Sequence, residues 1–117
     1  MKRSMVILVL VAAACRTATA PEANPYATRA DAAQAGQKLF RAHCAECHGP
    51  TAAGGAHAPS LQSQHVAAQS DGALFGFITN GDLRRGMPSW SRLTGERRWQ
   101  IVTYLRSLEP QSSARHK

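Results

Sequence analysis

The chain has 117 residues, with 14 Lys and Arg against 7 Asp and Glu and a formal net charge of +7. That length holds one folded unit at most, which excludes multi-domain enzymes. With 44% hydrophobic and 18% charged residues, the balance is that of a globular protein and not of a chain disordered throughout.

Residues 1–14 read as a signal peptide. Met1-Lys2-Arg3 is a positive start, and the apolar stretch Met5 to Ala14 has the length that secretory signals use. It is far shorter than the ~20 residues a membrane-spanning helix needs. The segment Val11-Ala12-Ala13-Ala14-Cys15 resembles the bacterial lipoprotein signal, in which the cysteine is lipidated and becomes the new N-terminus. A rival cut after Ala18-Thr19-Ala20 would release a soluble protein. The lipoprotein reading makes Cys15 the lipidation site and 15–28 a lipidated or flexible tether, because buried acyl methylenes hold a domain at a membrane without a spanning helix. Loss of Lys2 and Arg3 lowers the charge from +7 to +5 and leaves Cys44, Cys47 and Met87 as the sulphur-bearing residues of the folded part, 29–109.

Thr28-Arg29-Ala30-Asp31 predicts a first helix capped at Thr28 and running to Ala42, with Ala32, Ala35, Leu39 and Ala42 at helical spacing and Gly36 and Phe40 alongside. Gly36 costs up to ~1 kcal/mol relative to Ala in a helix, which points to a close backbone contact.

This helix leads into Cys44-Ala45-Glu46-Cys47-His48, the C-x-x-C-H pattern of covalent haem attachment. Cysteines at i and i+3 project from one side of a helical turn, so both thiols can form thioethers with the vinyl groups along one porphyrin edge. His48, on the same side, can reach the iron. A dithiol redox motif would need a βαβ setting, a zinc site would need two further ligands, and a disulfide would distort the turn.

Met87 is the expected second axial ligand. It lies in Arg84-Arg85-Gly86-Met87-Pro88-Ser89-Trp90, a loop-forming sequence in which Gly86 would let the backbone approach the ring and Pro88 stiffens the loop. Metal-bound imidazoles donate their other N–H to a nearby acceptor, and a proline carbonyl is free to accept. Further on, Ser70 or Asp71 predicts a helix through Leu74, Phe75 and Ile78 that ends at Asn80-Gly81. Thr94 opens a last helix carrying Trp99, Ile101, Val102, Tyr104, Leu105 and Leu108, which stops at Glu109-Pro110. Residues 110–117 read as a mobile tail. Trp90 reads either as a contact near the haem edge or as a buried anchor for the loop.

In this order, the motifs resemble those of small, single-haem, class I bacterial c-type cytochromes over roughly Ala32 to Leu108. The resemblance implies an all-α fold of three to four helices wrapped around one covalent haem c. It also implies that Tyr104 of the last helix packs on Gly36 of the first, and that the Pro59 carbonyl accepts the imidazole N–H of His48.

With His48 and Met87 on the iron, no open site remains for a substrate, so the expected function is one-electron transfer and not enzymatic catalysis. If Met87 does not bind, the alternative is a haem peroxidase or gas sensor; His57 or His65 as sixth ligand would lower the potential. Arg84, Arg85, Arg92, Arg97 and Arg98 cluster around the Met87 loop and suggest a redox partner with an acidic docking face. No nucleic-acid-binding module is recognisable. The expected protein is a monomer in the periplasm or on the outer face of a bacterial membrane. No role follows for His43 or His116, and no residue names the electron donor or acceptor.

Overall fold

The computed structural model describes residues 23–108. The signal peptide, Cys15, the cut at Ala20, the Glu109-Pro110 stop, His116 and the tail all lie outside them. Among the described residues the chain forms α1 (Ala30–His43), α2 (Ala45–His48), α3 (Gln64–Ala67), α4 (Asp71–Asn80) and α5 (Gly95–Ser107). A 3-10 turn, Leu83–Arg85, lies between α4 and α5, and among the described residues the only β pairing is an isolated bridge between Asp82 and Met87. The architecture is helical, with two very short helices, α2 and α3, added to the expected set. No described helix is long and apolar enough to cross a membrane.

Ser70 and Thr94 cap as expected. The Ser70 hydroxyl accepts from Ala73 N–H at 3.1 Å, and the Thr94 hydroxyl accepts from Arg97 N–H at 3.3 Å. The cap of α1 is different. Arg29 occupies the cap position without a side-chain cap bond, and Asp31 pairs with the Arg29 guanidinium at 2.6 Å instead of closing a capping box with Thr28. Thr28 lies one residue too early because Arg29 N–H already bonds the Tyr26 carbonyl in the preceding turn.

Packing is dominated by α1 against α5. The buried stripe of α1 is Ala32, Gly36 and Phe40, which rotates the expected face and leaves Ala42 exposed. A methyl group placed on Gly36 would lie 1.9 Å from the Gln100 carbonyl oxygen and 2.9 Å from Tyr104 Cβ, so only glycine lets the two helices cross this closely. Phe40 and Tyr104 pack beside the crossing with ring centroids 5.4 Å apart. Phe40, Ile101 and Val102 are the largest fully buried side chains.

Ordered structure begins before Thr28. The Asn24 side-chain amide donates to the Thr103 hydroxyl at 2.9 Å, and Tyr26 packs against the core. Thr103, a buried polar residue on the apolar face of α5, also donates to the Trp99 carbonyl at 3.0 Å. Its burial therefore leaves no unmet hydrogen bond.

Replacing Gly36 with Ala forces α1 and α5 apart and is expected to cost at least about 2 kcal/mol. Denaturant unfolding of the haem-loaded protein measures this; an unchanged midpoint contradicts it.

Candidate functional site

The C-x-x-C-H residues form the turn that continues α1. Cys44 N–H bonds the Phe40 carbonyl at 2.8 Å, and His48 N–H bonds the Cys44 carbonyl at 3.0 Å, so both cysteines and the histidine ride on one helical turn. Neither thiol is in a disulfide. Cys44 is half-buried and Cys47 exposed. Burial, with a smaller contribution from Cys47, pushes the Cys44 thiol up to about 11.

After His48 the chain doubles back. Gly54 N–H bonds the His48 carbonyl at 2.8 Å, and Leu61 N–H bonds the carbonyl of Ala52, a fully buried residue. Ala52 adopts φ 64°, a conformation costly for a residue with a β-carbon and held here by the packing around it. The fold-back brings the Pro59 carbonyl 3.2 Å from His48 Nδ1. An Nδ1–H donating to that oxygen leaves Nε2 as the nitrogen with a free lone pair, the tautomer a metal requires.

Met87 is held in a strap between α4 and α5. Its N–H and carbonyl exchange two hydrogen bonds with Asp82, each 2.9 Å, closing a small loop around the 3-10 turn. Gly86 supplies a left-handed residue at φ 87°, and no protein atom lies within 4 Å of the place its β-carbon would occupy. It closes the turn ahead of Met87. A close backbone approach within the protein occurs at Gly81, where a β-carbon would sit 2.5 Å from the Pro88 carbonyl.

Cys44, His48 and Met87 line one cleft, of about 480 Å³ counting its open mouth. Apolar side chains make up the rest of the lining, among them Phe40, Leu61 and Val66, with Leu74, Ile78, Ile101 and Leu105. Phe77, on the same wall, is 51% exposed. An apolar slot with a thiol, an imidazole and a thioether as its chemically active groups fits a flat apolar macrocycle carrying a soft-to-borderline metal. Among the described residues, no group of three or more His, Cys, Asp or Glu side chains is arranged to hold a bare metal ion.

The other sequence-derived candidates separate in space. His57 and His65 are exposed, and neither lines the cleft. Trp90 is buried, packed between the His43 ring at 5.2 Å and the Arg92 guanidinium at 4.5 Å, as an anchor of the strap and not part of the cleft lining. Arg98 is not a free surface charge. It spans Thr79, Leu93 and the Phe75 ring. The apolar lining from α3 and α4, notably Val66 and Phe77, was not readable as site, because a Val or Phe in a helical pattern looks the same whether it covers core or cofactor.

Residues 31–105 match the family described as cytochrome C oxidase, cbb3-type, subunit III. Cytochrome c550 of Pseudomonas aeruginosa is 33% identical over 94 residues, 77% of this chain and 65% of that protein. Cytochrome CL of Methylophaga aminisulfidivorans superposes with a TM-score of 0.64 at 30% identity, covering 73% of this chain and 58% of the other. The c-type cytochrome KustC0563 gives a TM-score of 0.56 at 26% identity, over 63% of this chain and 96% of the other. The chain thus spans less than two-thirds of the length of the first two. The C-x-x-C-H turn, the apolar slot and these likenesses agree that the chain belongs to the c-type cytochrome family of cbb3-type subunit III proteins, whose cofactor is one covalently bound haem c per domain.

Proposed function

We infer from membership in this family that the protein transfers electrons through a c-type haem. We propose, more specifically, that the protein is a one-electron carrier of the cell envelope with His48 and Met87 as axial iron ligands, Cys44 and Cys47 as the thioether anchors, and no enzymatic activity of its own. The observation that supports this most directly is that His48, oriented by the Pro59 carbonyl, and the strapped Met87 line the same apolar slot. Haem held there would supply a ferric/ferrous couple able to take one electron from a donor and pass it to an acceptor.

The residues do the rest. Two protein ligands leave no coordination site for peroxide or a gas, and the thioether of Met87 favours the ferrous state. The apolar lining excludes water, and the strap and the C-x-x-C-H turn hold the ligand set still, so little has to move when the charge changes.

Docking falls to the Met87 strap. Leu83 is 79% exposed and is followed by Arg84 and Arg85, which are also exposed. Arg85 lies 3.6 Å from Asp82, an exposed pairing that takes little of its charge out of play. This arrangement fits an acidic redox partner met by a monomer. Export and a lipid anchor at Cys15 belong to the same proposal and rest on the leader sequence alone.

Three outcomes are expected. The wild-type ferric protein shows the weak near-infrared band of sulphur-ligated haem, and Met87→Ala abolishes it and lets the ferrous protein bind carbon monoxide at once. A wild type already high-spin and open to carbon monoxide would favour a peroxidase or gas sensor instead. Cys44→Ala with Cys47→Ala leaves a largely unfolded chain by far-ultraviolet circular dichroism, because so small a core depends on the ring that fills it. Stopped-flow reduction by an acidic electron donor slows roughly tenfold or more at low salt in Arg84→Glu/Arg85→Glu, and salt erases the difference; equal rates at low salt would remove this docking face.

A further inference from the structure

The strap that carries Met87 is tied down at a point outside the ligand set. Helix α4 ends at Asn80, and its last carbonyls have no partners within the helix. Two of them are taken by the strap: Ser89 Oγ donates to the Thr79 carbonyl at 2.6 Å, and Trp90 N–H donates to the Ile78 carbonyl at 3.0 Å. Ser91 N–H in turn donates to Ser89 Oγ at 3.3 Å and the two serine hydroxyls lie 3.1 Å apart; the Thr79 carbonyl, which can only accept, is the shorter contact and takes the Ser89 proton when the Ser91 hydroxyl donates. Ser89 is two residues beyond Met87, so this bond closes the exit of the strap as the Asp82 bridge closes its entry.

Thr79 is itself held from the other side. Its hydroxyl donates to the Phe75 carbonyl at 2.7 Å and accepts from Arg98 Nη1 at 2.5 Å. Arg98 Nε also donates to the Leu93 carbonyl at 3.2 Å, and the guanidinium lies 4.7 Å over the Phe75 ring, which stacks on the buried Trp99 at 4.1 Å. One cation thus joins the end of α4, the segment leaving the strap and the first turn of α5. A bond from a charged donor is stronger than a neutral one and geometrically demanding.

We propose that the chain Arg98–Thr79–Ser89 is a latch that keeps the Met87 sulphur on the iron, with Ser89 and Arg98 acting as positioning residues that do not touch the haem themselves. The latch rests on the reading of Met87 as iron ligand. It assigns Arg98 to holding a ligand in place and not to meeting a partner. Carbon monoxide reads the latch directly, because the sulphur must leave before the gas can bind the ferrous iron.

The experiment uses haem-loaded wild type and four variants: Ser89→Ala, Arg98→Met, Arg98→Lys and Asn24→Ala. The last removes a contact to Thr103 in another part of the fold. Three quantities are measured: the near-infrared band, the carbon monoxide binding rate after rapid mixing, and the denaturant midpoint of helix loss. Ser89→Ala and Arg98→Met are expected to bind carbon monoxide roughly tenfold faster than wild type and to lose the band at lower denaturant than the helices. Arg98→Lys falls between, since an ammonium lacks the planar fork that serves Thr79 and Leu93 together. Asn24→Ala lowers the helix midpoint and leaves the binding rate at the wild-type value. A wild type with the band, but with Ser89→Ala binding no faster or Asn24→Ala speeding binding equally, overturns the latch alone. A wild type without the band overturns Met87 ligation and the latch with it. If Arg98→Met does not fold, Ser89→Ala decides, since it deletes one hydroxyl from a half-buried side chain.

Discussion

The closeness of α1 and α5 at Gly36 sets the geometry on which everything else depends. A helix pair held apart by a single methyl at that point would move the end of α1, and the end of α1 leads directly into Cys44 and the α2 turn that carries Cys47 and His48. The same α5 supplies Ile101 and Leu105 to the far wall of the slot. One crossing therefore fixes both where the cofactor is attached and what it rests against. The energetic reason is packing: interiors of this density do not absorb an extra carbon without shifting whole elements.

Around that crossing, the short elements act as clamps. The fold-back from Gly49 to Leu61 presents a proline carbonyl to His48, and the strap from Asp82 to Trp90 presents a thioether from a different part of the chain. Each clamp is closed by backbone hydrogen bonds and pinned by a buried side chain, Ala52 in the first and Trp90 in the second. That suits segments whose inner side faces a cofactor and whose outer side faces water. Arginines complete the arrangement by dividing their labour. Arg106 bonds Asp71 and the carbonyls around the end of α3, and Arg98 bonds the end of α4, while Arg84 and Arg85 stay outside. The net positive charge of the chain is thus not a uniform surface property, since part of it is spent internally on carbonyls that the short helices leave open.

Legibility from sequence varied by kind of feature. The attachment motif, the Gly-Met-Pro loop, the glycine crossing and the caps at Ser70 and Thr94 all depend on neighbours a few residues away or on a residue type that no other can replace. They were therefore readable. The α1 cap was misread because Arg29, adjacent to Asp31, captured the acid that a capping box at Thr28 would have used. The buried face of α1 was misread by a partial turn, because its small residues lie nearly all round and only the partner helix selects among them.

What the sequence by itself determined is the attachment chemistry: the Cys44, Cys47 and His48 motif of covalent haem, and with it membership among the helical c-type cytochromes. Covalent and coordination chemistry is written in residue types at short spacing, so it survives without knowledge of the fold. The tertiary structure decided the supports: that Pro59 faces His48, that Thr103 is satisfied by Asn24 from 79 residues away, and that Ser89 and Arg98 meet at Thr79. Hydroxyls and guanidinium groups find partners only after helices have packed, and nothing in their local sequence distinguishes the ones that will.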